Sequence, residues 1–213
     1  FSMARYLING SLDTSFGNLG TVILAFGPGN DGANSIALQS DGKILLAGYS
    51  VIGSFNDFAI ARFDTSGILD NSFYTDGKVS TDFASDNDIA YSVIQQLDNK
   101  ILLAGTTFIG ADSDFGLVRY NYDGSLDTNF DFDGKVTTAI DSGSSIGKSC
   151  IIQSDLKILV AGNYDNGVDA DFAIARYISG IYVGIEDFLI TENSILVYPS
   201  PTEQNSMLEY SLN

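Results

Sequence analysis

Apolar and polar positions along this chain alternate in short bursts rather than at helical spacing. Ser35 to Gln39, Ile44 to Gly48, Asp57 to Phe63 and Lys78 to Phe83 are four such bursts, separated by polar turns. In Asp57-Phe58-Ala59-Ile60-Ala61-Arg62-Phe63 the small alanines fall on one face and larger side chains on the other, the period of two that a strand requires. Ser40-Asp41-Gly42-Lys43 stands between the first two bursts, and Asp-Gly in that place predicts a two-residue hairpin. Each burst is one strand of a four-stranded antiparallel unit.

The unit recurs without insertion. Arg5, Arg62, Arg119 and Arg176 are each 57 residues apart, and Asp13, Asp70 and Asp127 keep that interval. So do the columns Phe16/Phe73/Phe130, Lys43/Lys100/Lys157, Gly48/Gly105/Gly162 and Asp57/Asp114/Asp171. A tandem period of this length, with three hairpins in it, predicts an all-β fold of 57-residue four-stranded antiparallel blades, a β-propeller or an open propeller arc. A β-solenoid is the competing architecture, but its coils are shorter.

Strand counting favours the arc. Residues 1 to 7 and 171 to 177 both read as third strands, giving four third strands against three fourth strands. Closed rings take four to eight blades, so three units leave two alternatives. Further blades precede this segment, or two chains pair as a homodimer and complete a six-bladed ring. The mid-blade start favours the first. Phe1 in place of an initiator Met reads as a processed product or a fragment.

Composition supports short strands and tight turns, with 22 Gly, 14 Phe and 11 Tyr against 3 Pro. A net charge of -17, from 27 acidic and 10 basic residues, argues against nucleic acid and anionic membrane surfaces as partners. No apolar run reaches the length of a spanning helix, so membrane insertion is not expected. One cysteine, Cys150, excludes an intrachain disulfide. It shares a column with Val93 and Ile36, which predicts a buried small hydrophobe rather than a reactive thiol.

The ordered motifs Asp57-Phe58-Ala59-Ile60-Ala61-Arg62-Phe63, Gly67-Ile68-Leu69-Asp70 and Gln39-Ser40-Asp41-Gly42-Lys43-Ile44 resemble the delta-60 family of bacterial propeller-like repeats. The resemblance covers about residues 1 to 178. It implies a large secreted or cell-surface protein of a Gram-negative bacterium and no known reaction. The tail differs. Gly184-Ile185-Glu186 and Ile195-Leu196-Val197-Tyr198-Pro199-Ser200-Pro201-Thr202 resemble the opening of the C-terminal sorting domain of type IX secretion, with Ser200 where the usual form has Asn. The expected organisation is therefore residues 1–180 as repeats and 181–213 as a linker with the start of that domain.

Candidate chemistry is sparse. An arginine inside an apolar strand needs a partner, and Asp13, Asp70 and Asp127 share the phase of Arg5, Arg62 and Arg119, predicting repeat-wide salt bridges, bidentate where geometry allows. Arg176 continues the column. Gly42 becomes Asn99 and then Leu156, so the third turn is expected to be the least regular. Asp127, Asp131 and Asp133 are the candidate calcium ligands, set against a solvated acidic turn; no other cofactor is expected. Asp112 and Asp169 are the candidate acids for a carbohydrate-active alternative, although with no histidine general acid/base chemistry would rest on carboxylates or tyrosines. The leading expectation is a non-catalytic interaction scaffold or adhesin-like module. Its inter-strand loops, Tyr49 to Asn56, Thr106 to Ser113 and Asn163 to Ala170, would hold a protein or glycan.

Overall fold

A computed structural model describes residues 1–84 and 86–178, and the backbone of 194–198 and 208–211. Strands β1 (Ser2–Ala4) and β2 (Thr21–Ile23) pair as a two-stranded sheet. The first full blade follows in chain order as β3 (Asp31–Leu38), β4 (Ile44–Ile52), β5 (Phe55–Phe63) and β6 (Lys78–Thr81). The second repeats it as β7 (Asp88–Gln95), β8 (Ile101–Ile109), β9 (Asp112–Tyr120) and β10 (Lys135–Thr138). The third is β11 (Ser144–Ile152), β12 (Ile158–Asp165) and β13 (Ala170–Tyr177), extended by β14 (Ser194–Tyr198) and β15 (Leu208–Ser211).

Every pairing is antiparallel. Among the described residues β1, β5, β9 and β13 are the four third strands, and β2, β6 and β10 the three fourth strands of the repeat. Backbone pairing carries the last sheet past the boundary expected at residue 180, because β14 lies beside β13 with Ile174 opposite Tyr198. The remaining tail positions of the sorting-domain motif, Pro199 to Thr202 included, lie outside the described residues.

Two expectations about turns are corrected. Gln39 N donates to Lys43 O (2.8 Å) and Gly42 N to Gln39 O (2.9 Å), so Ser40-Asp41-Gly42 is a three-residue loop with its last residue left-handed. The third turn is as regular as the first. Leu156 takes φ 68° where Gly42 has φ 84°, with Gln153 N donating to Lys157 O and Leu156 N to Gln153 O. The cause is local. The Asp carboxylate accepts the NH two residues on, Asp41 from Lys43 (3.1 Å), Asp98 from Lys100 (3.2 Å) and Asp155 from Lys157 (3.3 Å), whatever residue lies between.

The first strand of each blade carries the same bulge, at Asn34, Tyr91 and Lys148. Opposite it the chain comes so close that a Cβ on Gly48, Gly105 or Gly162 would collide with a backbone carbonyl, of Gly32, Ile89 and Ile146 respectively. That collision accounts for the repeated glycine. The bulges also meet between blades. Asn34 Nδ2 donates to Ala90 O (2.9 Å) and Lys148 Nζ sits 3.7 Å over the Tyr91 ring. Ser35 Oγ accepts from Val93 N and Ser92 Oγ from Cys150 N, both at 3.1 Å. First strands of successive blades therefore face one another along the inner side of the arc.

Blades stack face to face through apolar seams. Leu45, Ala47, Phe58 and Ile60 of the first meet Val93, Leu103, Val118 and Tyr120 of the second. Leu102, Ala104, Phe115 and Leu117 of the second meet Cys150, Ile158, Val160 and Ala175 of the third. Phe58 and Phe115 are 0% exposed, whereas Phe172, in the same column on the third blade, is 88% exposed. The sheets form an open arc.

Candidate functional site

The repeated arginines are built into the seams. Arg62, 1% exposed in β5, donates from Nε to Asp70 Oδ2 (2.8 Å), from Nη2 to Ser72 Oγ (3.2 Å) and from Nη1 to the carbonyl of Tyr122 in the next unit. Its guanidinium lies 4.6 Å from both the Phe73 and the Tyr122 ring centroids. Arg5 repeats the pattern with Asp13 (2.8 Å), Ser15, Phe16 and the carbonyl of Thr65. Arg119 repeats it with Asp127 (2.7 Å) and Phe130. The pairing is one-pronged, Nε to Oδ2, because the two Nη groups are used elsewhere. Arg176 holds the same position in β13, and its partner column falls outside the described residues.

Each aspartate is as fully used. Asp70 Oδ1 accepts from Ser72 N and Oγ, while Oδ2 also takes Lys43 Nζ at 3.0 Å. Asp127 Oδ2 takes Lys100 Nζ at 2.9 Å and Oδ1 accepts from Asn129 N. Burial alone would raise both pKa values. For Asp70 the hydrogen bonds from Ser72 and Lys43 with the charge of Arg62, and for Asp127 the bond from Lys100 with the charge of Arg119, outweigh burial and hold the carboxyls below the usual range. These groups form a structural tie running from hairpin to strand to the next blade.

The candidate calcium ligands are not brought together as a cage. Asp127 is committed to Arg119 and Lys100, and Asp133 Oδ1 closes a turn by accepting from Lys135 N (2.9 Å). Asp131 lies in a left-handed turn (φ 49°). Three other carboxylates do converge. Asp57 at the start of β5, Asp82 just after β6 and Asp88 at the start of β7 place one oxygen each within 4.8 Å of one another. Asp57 is pushed up to about 6, by burial first and then by Asp82 and Asp88. Burial also raises Asp88, which is fully enclosed. Of these only Asp57 belongs to a column of the repeat read from sequence. The missed signal is the link Asp82-Phe83-Ala84-Ser85-Asp86-Asn87-Asp88, with three acids where residues 25–31 and 139–145 carry one each.

The candidate catalytic acids are placed apart in role. Asp112 accepts from Ser144 Oγ (3.4 Å) and lines a groove of about 270 Å³ with Asp165 and Asn166. Asp169 closes its own hairpin, accepting from Asn166 Nδ2 at 2.8 Å, and is not among that groove's lining residues. Burial pushes the Cys150 thiol up to about 11, in keeping with its place in the seam.

The loops expected to carry specificity are shorter than the sequence suggested. Tyr49 to Asn56 and Thr106 to Ser113 are mostly strand, paired out to Ile52 opposite Phe55 and Ile109 opposite Asp112. Branched and aromatic side chains hold the ladder to the tip, leaving only Gly53-Ser54 and Gly110-Ala111 as turns. Asn163 to Ala170 is more open, with residues 166–169 between β12 and β13. The tips expose apolar Ile52, Phe55, Ile109 and Val168 beside polar Ser54, Asp112, Asn166 and Asp169.

A family model described as a domain of unknown function (DUF5122), beta-propeller, matches residues 39–73 and 96–130. The two matches are one repeat apart, and each runs from the buried glutamine of the hairpin, Gln39 or Gln96, through the arginine–aspartate tie to its phenylalanine, Phe73 or Phe130. No curated protein matches the chain. The chain is a propeller-like repeat protein.

Proposed function

We propose that this propeller-type chain is a non-catalytic interaction module, an adhesin-like scaffold of a protein exported to the surface of a Gram-negative bacterium. The observation that carries the reading is a division of labour along the repeat. Side chains common to the units are consumed in ties and seams, whereas the hairpin tips differ and expose Ile52, Phe55, Ile109 and Val168. Variable, partly apolar tips on a rigid frame suit recognition of a protein or glycan. Resemblance to delta-60 repeats and to a type IX sorting sequence supports export. The face around Phe172 and Ile174 gives a second copy of the chain a place to dock, which would register as twice the chain's 22.8 kDa in solution.

Screening the chain on glycan and protein arrays, beside a variant with Ile52, Phe55, Ile109 and Val168 all changed to Ser, tests the rim. Binding lost in the variant supports it, and undiminished binding removes it. Asp112→Asn and Asp169→Asn should leave any such binding unchanged. Hydrolytic activity that disappears in either would favour a carbohydrate-active enzyme instead.

A further inference from the structure

We propose that Asp57, Asp82 and Asp88 bind one divalent cation of the calcium class at the seam between the first and second blades, and that the ion clips those blades together. The spacing fits. Two oxygens each about 2.4 Å from one calcium stand no more than about 4.8 Å apart, the limit within which these three oxygens lie.

Two of the three carboxylates, Asp57 and Asp88, are also buried and short of the donors that burial demands. Asp57 is 8% exposed, and no hydrogen bond or ion pair to its carboxylate is formed among the described residues. Asp88 spends Oδ2 on the Phe83 NH (2.8 Å), and its buried Oδ1 has only the Thr107 hydroxyl and the Phe108 NH beside it, neither closing a full hydrogen bond. Thr107, directly across the ladder from Asp88, is the buried hydroxyl that faces this carboxylate, in geometry too loose for a full hydrogen bond. Lys135 Nζ reaches the main-chain carbonyl of Asp82 (3.3 Å) but forms no ion pair with Asp57 or Asp88. Enclosed anionic oxygens of this kind are costly alone and are relieved by a cation.

The donor set selects the cation. All three ligands are carboxylates and the chain has no histidine, which disfavours zinc and suits a hard ion completed by water and carbonyls. Magnesium asks for shorter, stricter octahedral contacts. One site per chain is expected, since at the next seam Asp114 has Ala139 and Ser145 in the columns of Asp82 and Asp88.

Calcium chloride titrated calorimetrically into chelator-treated full chain, with unfolding temperature read in calcium and in EDTA, tests the site. One equivalent should bind, with a rise of about 5–10 °C at a hundredfold excess over Kd. Asp82→Asn, at an exposed position that leaves the fold intact, should abolish both responses, as should Asp57→Asn. Asp133→Asn should retain them. Absence of heat and shift at millimolar calcium would overturn the proposal, as would full binding in Asp82→Asn and Asp57→Asn, or loss in Asp133→Asn.

Discussion

At the scale of single residues, backbone position and side-chain burial decide which copies of a repeated column matter. Leu156 occupies a left-handed turn position that Gly42 fills without strain. Leu156→Gly should therefore stabilise the chain, by about 1 kcal/mol in urea unfolding. Arg62 and Arg5 make the same bonds, yet the Arg62 side chain is 1% exposed and that of Arg5 38%. Lysine cannot reproduce a fork that serves Asp70, Ser72 and Tyr122 while stacked between two rings. Arg62→Lys should cost about 2–3 kcal/mol, with a much smaller loss for Arg5→Lys in the same assay.

At the scale of elements, the aspartate that links hairpin to strand gives each blade an acid sensitivity. The folded pKa of Asp70 lies below the 3.8 of a free aspartate, so the folded state holds fewer protons than the unfolded one. Its contribution is fully present above the unfolded value and is lost as pH falls through the folded value. The stability gap between wild type and Asp70→Asn should be constant above about pH 5 and close progressively below pH 4. A gap unchanged down to strongly acid pH would mean that charge is not its source. The strands, the antiparallel order and the arginine–aspartate partnership were all legible in the sequence, because each leaves a period of 2 or of 57. Three things were not. The Asp57–Asp82–Asp88 group joins a column residue to Asp82, which has no counterpart in the other units, and to Asp88, which recurs only as Asp31, across a link between blades. The turn at Leu156 keeps its form because Asp155 sets it, a cause that a missing glycine conceals. The inter-strand loops shrank to tips because Val51, Ile52 and Phe108 extend their strands beyond the repeated glycine.

At the scale of the whole molecule, the blades are interdependent, and the same column means different things at a closed seam and on the open face. Phe115 is sealed between the second and third blades, while Phe172 looks outward from the third. Replacing either with alanine removes the same atoms, so only the architecture distinguishes them. Urea unfolding of Phe115→Ala and Phe172→Ala side by side is the most direct test of an open arc of stacked blades. Phe115→Ala should lose about 3–5 kcal/mol and Phe172→Ala less than about 1 kcal/mol; equal losses at the two positions would contradict the arc.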